Sequence, residues 1–160
     1  MNANPLQLID RLLSHGVPLV IIGGHAVNCY GYVRATEDTD IIFQRTEASS
    51  KTLFQALDSI NAFWISDEID QATRLEQTVP VTQEFVDSQH LMMLGTDLGY
   101  VDIFDYIPGV AELPIATAFE NVTIVDGRPY VSLDLLRQMK KASGRLKDLL
   151  DLENLPDDHS

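Results

Sequence analysis

The part of the chain that decides the fold reads LVIIGGHA over residues 19–26 and RATEDTDIIF over residues 34–43. The apolar runs 19–22 and 41–43 have the length and composition of buried strands. The Gly-Gly pair after the first run marks a turn that opens a short helix. The predicted local order is therefore strand, turn, helix and strand.

Two carboxylates, Asp38 and Asp40, stand where the second of these strands begins. Side chains two residues apart on a strand share a face, so both are expected to point the same way. A third, Asp102, lies inside the apolar segment 100–104, where a charge is costly to bury unless it is paired or bound to a metal. Three aspartates can hold two Mg²⁺ ions, which prefer a few carboxylates plus substrate phosphates. Asp105, at the end of that strand, is the competitor, but we expect it on the opposite face and in solvent.

The glycine turn and the loop before Asp38 are candidates for holding phosphate. Gly23 and Gly24 let backbone amides approach an anion at a helix N-terminus. Arg34 and Thr36 flank the carboxylates and could contact phosphate or hold the loop. Each feature also has a purely structural explanation, since Gly-Gly can be only a tight turn and Arg34 only the partner of a nearby carboxylate.

Length and composition indicate one domain over residues 1–160, with an acidic tail from about residue 156. The chain has 160 residues, of which 45% are hydrophobic. Its only cysteine, Cys29, excludes an internal disulfide and a multi-cysteine zinc cluster. His25 is expected to pack against a loop rather than to bind phosphate. No apolar run approaches the length of a membrane span, and a cytoplasmic protein with no membrane partner is expected.

The charge is strongly negative and unevenly distributed. A net charge of −13 argues against broad electrostatic binding to nucleic acid. Five of the eleven lysines and arginines nevertheless fall within residues 137–147. This cluster is either an anion site or two solvated helix faces with ordinary ion pairs, such as Lys147 with Asp151.

The remaining pattern predicts an α+β fold, a mixed sheet of about five or six strands packed by helices, with C-terminal helices. The helices are expected from Asn4-Pro5 to Gly16, over about 24–31 and 47–60, from Ser132 to Gly144, and over about 146–155 with its leucines carrying the helix. Hairpins are expected at 91–94 with 100–104, joined by a five-residue turn, and at 122–125 with 130–131, around Asp126-Gly127. Residues 61–88 are the least readable part.

Taken together, these motifs resemble the nucleotidyltransferase superfamily, whose fold is shared with DNA polymerase beta. The first block is similar to that of a minimal bacterial branch, which includes toxin–antitoxin and abortive-infection nucleotidyltransferases. In that branch the block looks like GG-x-A, a glycine, and RxTxDxD. The matching residues here are Gly23, Gly24, Ala26, Gly31, Arg34, Thr36, Asp38 and Asp40. The branch's C-terminal helix resembles the segment that holds Lys140, Arg145 and Asp148.

The resemblance implies roles for these residues. Asp38, Asp40 and Asp102 would be catalytic and would bind two Mg²⁺ ions, and Asp102 would also help to activate the acceptor hydroxyl. The nucleoside triphosphate would be cradled by the glycines and gripped through its phosphates by the basic cluster. The implied nucleotide-binding residues are Gly23, Gly24, Arg34, Thr36, Lys140 or its neighbour Lys141, and Arg145.

The leading hypothesis is a Mg²⁺-dependent nucleotidyltransferase that moves a nucleoside monophosphate from an NTP, such as ATP, to a hydroxyl. The acceptor, whether RNA, protein or small molecule, is left open. The alternative is an antitoxin-like or regulatory module that binds a protein partner encoded nearby, which the small size and acidity favour. A nucleotide-binding member of the family without turnover is the third reading.

Overall fold

Eight strands form one mixed sheet in the computed structural model, which describes residues 4, 6–36 and 38–156. The sheet order is β4-β3-β5-β6-β2-β1-β8-β7. The strands are β1 (Leu19–Ile22), β2 (Thr39–Phe43), β3 (Phe63–Ile69), β4 (Glu76–Pro80), β5 (Leu91–Thr96), β6 (Gly99–Phe104), β7 (Thr123–Val125) and β8 (Arg128–Tyr130). The predicted α+β class is confirmed, and the expectation of five or six strands was too low.

Six α-helices accompany the sheet in the described part of the chain. They are α1 (Gln7–Ser14), α2 (Gly23–Cys29), α3 (Glu47–Asp58), α4 (Gln83–Ser88), α5 (Leu133–Ser143) and α6 (Leu146–Asn154), with a 3-10 helix at Ile115–Phe119. The predicted helix start at Pro5 and the acidic tail beyond residue 156 lie outside the described residues. No helix that the structure describes is both long and apolar enough to cross a membrane.

The centre of the sheet confirms the order predicted from the glycine turn. β1 leads directly into α2, and β2 returns antiparallel to β1, with Ile22 paired to Asp40. β6 then adds parallel to β2. Ile41, Ile42 and Phe43 are completely buried, so the middle of β2 is covered on both faces. This rigid centre is what positions the carboxylates of β2 and β6.

Residues 61–88 supply the extra strands. β3 and β4 pair as a hairpin whose register shifts between Ile65 and Ile69, and most of their side chains are exposed. A strand that is exposed on both faces lacks the period-two alternation that reveals strands in a sequence. Pro80 ends β4 at the edge of the sheet, where its missing N–H breaks no ladder hydrogen bond.

The two predicted hairpins are present, and one loop is shorter than expected. β5 and β6 extend to Thr96 and Gly99, which leaves a two-residue loop in place of the five-residue turn. Asp126 and Gly127 connect β7 to β8 with φ angles of 53° and 78°. Positive φ at both central residues is typical of the tight hairpin turn that Asp-Gly predicts.

The C-terminal helices begin and end near their predicted caps, but α6 faces the opposite way. The Ser132 hydroxyl accepts a hydrogen bond from the Leu135 amide, and Gly144 ends α5 in a left-handed conformation. Four leucines were expected to carry α6. Leu146, Leu149 and Leu150 are 76%, 48% and 47% exposed, whereas Leu155, directly after the helix, is buried. The aspartates of α6 are buried instead, because they pair with cations from other elements.

Candidate active site

The three aspartates named from the sequence lie around one end of β2. Asp40 on β2 is the register partner of Asp102 on β6, and Asp38 directly precedes β2. Partners in a parallel ladder point to the same face of the sheet, so the Asp40 and Asp102 carboxylates lie side by side. All three line one cleft. The prediction of a shared face concerned Asp38 and Asp40 as residues of one strand; Asp38 lies just before that strand, and both carboxylates line the same cleft.

The carboxylates of Asp40 and Asp102 both have raised pKa values, for partly different reasons. Burial, followed by the charge of Asp102, raises the pKa of Asp40 to about 6. Burial and the charge of Asp38 raise the pKa of Asp102 as well. Asp40 acts in the opposite direction and lowers the pKa of Asp102, so the pair favours a proton on Asp40. Neutral pH therefore places more negative charge here than the site accommodates by itself.

These donors fit a divalent cation. None of the ion pairs among the described residues involves Asp40 or Asp102. No three His, Cys, Asp or Glu side chains in that part of the chain already form a group that could hold a metal ion. Two adjacent carboxylates with raised pKa values are nevertheless the donor set that a hard cation would stabilise, since it offsets their repulsion.

The glycines of the turn leave room for the carboxylate strand and the loop. A Cβ at Gly23 would collide with the Asp40 carboxylate and stand 3.0 Å from its Cβ. A Cβ at Gly24 would stand 2.7 Å from the Thr36 Cβ and 3.3 Å from an Arg34 guanidinium nitrogen. Gly23 also has a φ of +66°, which side chains with a Cβ rarely adopt. The turn is thus packed directly onto the aspartate site.

Replacing Gly23 with alanine is expected to displace Asp40 and to lower activity far more than the backbone strain alone would. The matched control is Gly127→Ala, which has a φ of +78° and nothing within 4 Å of a new Cβ. Both changes incur the left-handed backbone cost of about 1–2 kcal/mol, seen as a lower thermal midpoint. Only Gly23→Ala is expected to weaken nucleotide binding in a titration. Equal binding by the two variants would contradict this role.

An ion network connects α5 and α6 to the loop that precedes β2. The Lys140 ammonium lies 3.2 Å from Asp148 and 3.0 Å from Asp151. Arg34 donates from Nε and Nη2 to the two oxygens of Asp151, at 2.8 and 2.9 Å. Arg145 donates to Asp148 at 2.7 Å. Three cations share two aspartates, so the network carries one net positive charge.

The network is fixed because its anions are buried and saturated with donors. Asp148 and Asp151 are each 1% exposed. Burial alone would raise the pKa of Asp148, but hydrogen bonds from Arg145, Ser143 and Lys140 reverse that effect and hold it well below the usual range. Arg34 and Lys140 likewise lower the pKa of Asp151 against the effect of burial. Both aspartates are therefore ionised, and Lys140 has a defined position.

Arg34 acts here as a connector between the loop and α6. Its bidentate contact with Asp151 is the geometry in which an arginine–carboxylate pair is strongest. A double-mutant cycle with Arg34→Ala and Asp151→Ala tests this contact through the thermal midpoint and the NTP dissociation constant. We expect a coupling energy of about 1–3 kcal/mol, because the pair is largely buried. Additive effects of the two changes would contradict the connection.

The aspartates and the cations line one cleft of about 760 Å³. Its polar walls include the residues predicted to bind metal and phosphate. They are Gly23, Gly24, Arg34, Thr36, Asp38, Asp40, Asp102, Lys140 and Arg145. Phe104, Leu136 and Met139 supply an apolar part of the wall. A volume of this size suits a nucleotide-sized ligand.

Three further residues differ from the sequence interpretation. Lys141 is exposed and does not line the cleft, whereas Lys147 does. Asp151 pairs with Arg34 and Lys140 rather than with Lys147. Asp105 is not solvated, since its carboxylate is 8% exposed and accepts from Arg45 at 2.7 Å.

The sequence interpretation missed the role of Asp151 as the partner of Arg34 and Lys140. Asp148 and Asp151 are three residues apart, so they lie on neighbouring positions of one helix face. Two aspartates on one helix face, after a lysine-rich helix, were the available signal. His25, which was expected to pack against a loop, is buried, and its Nε2 lies 3.5 Å from the hydroxyl of Thr39 on β2.

Solved structures share this arrangement of strands and helices. The chain is similar to the antibiotic-resistance factor ANT(2'')-Ia in solution, with 15% identity over 92% of this chain and 80% of that chain, at a TM-score of 0.57. It is also similar to an antigenic nucleotidyltransferase-like protein from Paracoccidioides brasiliensis, with 18% identity, 93% and 71% coverage, and a TM-score of 0.52. The chain has a nucleotidyltransferase-like fold. No protein-family model and no curated protein matches it.

The glycine turn and the aspartates implied this fold through their resemblance to the nucleotidyltransferase superfamily. The similarity to the two solved structures confirms that prediction of the fold. The narrower resemblance to the toxin–antitoxin branch stays a prediction.

Proposed function

We propose that this chain is a Mg²⁺-dependent nucleotidyltransferase, which moves a nucleoside monophosphate from an NTP to a hydroxyl and releases pyrophosphate. The observation that carries the proposal is the pair of half-buried carboxylates, Asp40 and Asp102, which line one cleft together with the cations Lys140 and Arg145. The carboxylates would bind cations, and the lysine and the arginine would bind phosphate. A nucleotide with its metal ions would supply cations to the carboxylates and phosphate groups to the lysine and the arginine.

The residues of the cleft would have different roles in the reaction. Asp38, Asp40 and Asp102 would hold Mg²⁺, which when bound neutralises phosphate charge. Lys140 and Arg145 would contact the phosphates, stabilising the negative charge that grows on the leaving pyrophosphate. The glycine turn would present backbone amides to the phosphates.

The chemical step is an exchange of oxygen atoms at the α-phosphorus. The acceptor hydroxyl oxygen forms a bond to that phosphorus while the bond to the bridging oxygen of the β-phosphate breaks. Pyrophosphate leaves with the electron pair. The hydroxyl proton passes to the Asp102 carboxylate, which lines the cleft beside Asp40.

A binding titration tests the proposal before any acceptor is known. Each of the four NTPs, with ATP first, is titrated into the protein by calorimetry with and without Mg²⁺. We expect micromolar to millimolar binding that needs Mg²⁺ and is lost in Asp40→Asn. No binding of any NTP at millimolar concentration with Mg²⁺ would overturn the proposal.

The α6 surface favours a second candidate function, a regulatory module that binds a protein partner on the same fold. Leu146, Leu149 and Leu150 form an exposed apolar face, which is unusual for a helix whose aspartates are buried. This function predicts a partner complex that is unaffected by Asp40→Asn and abolished by Leu149→Asp. Pull-down with the product of an adjacent gene distinguishes the two functions.

A further inference from the structure

The sheet face beside Asp102, on the side away from Asp40, is apolar and exposed. Met93 on β5 is the register partner of Asp102, and Tyr100 lies two residues before Asp102 on β6. All three side chains therefore point to the same face. Met93 is 65% and Tyr100 59% exposed. A group that approaches Asp102 from this side meets these two side chains first.

The apolar surface continues onto the next strand. Phe63 on β3 pairs with Gly95, the register partner of Tyr100, and the Phe63 ring occupies the space that a Cβ of Gly95 would need. Ile65, on the same face of β3, is 51% exposed. We call Phe63, Ile65, Met93 and Tyr100 the acceptor face. Single exposed apolar residues are ordinary, but a contiguous group on three strands marks an interaction surface.

The acceptor face lies outside the cleft. None of its four residues is among those that line the cleft. Sites for small molecules are concave and enclose most of the ligand. An open face of a sheet instead suits a macromolecule that lies across it and covers its apolar side chains.

The net charge of residues 63–104 indicates which class of macromolecule would bind to the acceptor face. Residues 63–104 hold eight carboxylates against a single basic side chain, Arg74, so their net charge is −7. Glu84 and Asp87 belong to α4, which packs on the other face of the sheet, where Phe85 stacks on Trp64. Without α4 the net charge is −5, and the six carboxylates are Asp67, Glu68, Asp70, Glu76, Asp97 and Asp102. A nucleic acid would be repelled, since its binding depends on cations that contact phosphates. A basic polypeptide is attracted.

We propose that the acceptor is a hydroxyl-bearing side chain within a basic polypeptide segment that lies on the acceptor face. The proposal rests on the proposed function, because it names the acceptor of that same reaction. The serine, threonine or tyrosine oxygen bonds to the α-phosphorus and pyrophosphate leaves. The hydroxyl proton passes to Asp102 and then to water, and the product is a phosphodiester between the polypeptide and the nucleoside.

Defined probes test the acceptor class. The protein is incubated with Mg²⁺, each α-³²P-labelled NTP, and one acceptor at a time. The acceptors are a lysine-rich peptide containing Ser, Thr and Tyr, the same peptide with glutamate for lysine, an RNA oligonucleotide with a free 3′ hydroxyl, and an aminosugar. We expect labelling of the basic peptide with a kcat/KM about tenfold or more above that of the acidic peptide.

Each other outcome overturns this acceptor proposal. Labelling of the RNA, the aminosugar or the protein itself in place of the basic peptide shows that nucleotide transfer occurs with a different acceptor. NTP binding without labelling of any probe contradicts the acceptor proposal and leaves nucleotide binding intact. The absence of NTP binding identifies a failure of the proposed function itself.

Matched variants test the face. Met93→Thr with Tyr100→Thr is expected to raise KM for the basic peptide about tenfold, while the NTP dissociation constant stays unchanged. Ile124→Thr is the control, since Ile124 is 67% exposed on β7, far along the sheet order from β6. Thermal midpoints confirm that all variants fold. A KM for Met93→Thr/Tyr100→Thr equal to that of Ile124→Thr would overturn the assignment of the face.

Discussion

Asp40→Asn is expected to abolish nucleotide transfer and, at the same time, to raise the thermal midpoint of the metal-free protein. The side chain keeps its shape but loses a charge that the site opposes, because burial and Asp102 raise the pKa of Asp40 to about 6. That shift corresponds to at most about 3 kcal/mol at pH 7.5. For a domain of this size that bound corresponds to an increase of at most about 6–12 °C. Activity should fall by about a thousandfold, the effect of losing a metal ligand.

The dependence on pH gives this prediction a second readout. The native protein holds a proton on Asp40 that the unfolded chain releases, so the stability of the native state falls as pH rises from about 4 to 6. The advantage of Asp40→Asn should therefore vanish near pH 4 and be complete above pH 7. Asp67→Asn, at an exposed position of β3, is the control and should change neither property.

Added Mg²⁺ is expected to make the natural protein more stable than Asp40→Asn. It should raise the midpoint of the natural protein and leave that of Asp40→Asn nearly unchanged, because ligands stabilise only the state that binds them. A midpoint of Asp40→Asn below that of the natural protein, in the absence of metal at pH 7.5, would contradict the described repulsion between Asp40 and Asp102.

Lys140→Met is expected to lower both stability and turnover. The ammonium is held between Asp148 and Asp151, and removing it leaves two buried carboxylates with fewer partners. Loss of one member of a buried ion pair costs about 3–5 kcal/mol, and the lower end applies here because Arg145 and Arg34 remain. The thermal midpoint should fall by about 6–12 °C. Turnover measured at a temperature where the variant is folded should fall about a hundredfold, since a group that stabilises the leaving phosphates is lost.

Lys141→Met is the matched control for Lys140→Met. The two lysines are adjacent on α5, but Lys141 is exposed and does not line the cleft. It should keep the natural midpoint and turnover. A loss of turnover in Lys141→Met equal to that in Lys140→Met would show that the phosphates are gripped by the other lysine.

The sequence predicted those parts of the fold in which hydrophobic pattern and local chemistry agree. β1, α2 and β2 follow from two apolar runs and a glycine turn, and the Asp126-Gly127 hairpin from its turn residues. The hairpin of β3 and β4 was missed because its side chains are mostly exposed, so burial leaves no alternating pattern. Where neither face of a strand is buried, the sequence carries little trace of it.

The candidate site was predicted only in part, because the sequence does not always show which side chains are buried. Asp102 was recognisable because a carboxylate within an apolar strand is costly without a partner. The orientation of α6 was not recognisable, because a leucine stripe ordinarily faces the core. In this protein Asp148 pairs with Lys140, and Asp151 pairs with Lys140 and Arg34. These ion pairs keep the aspartates on the buried side of α6, so its leucines lie on the exposed side. Pairing between residues more than a hundred positions apart, such as Arg34 with Asp151, is a property of the folded chain.

The most direct test of the account is to follow the α- and γ-phosphates of one NTP separately. The protein is incubated with Mg²⁺, the basic peptide and ATP labelled with ³²P at either position. We predict that the α-label moves to the acceptor while the γ-label is released as pyrophosphate, and that both movements stop in Asp40→Asn. Transfer of the γ-label to the acceptor, or equal release of pyrophosphate by Asp40→Asn, would contradict nucleotidyl transfer at this site.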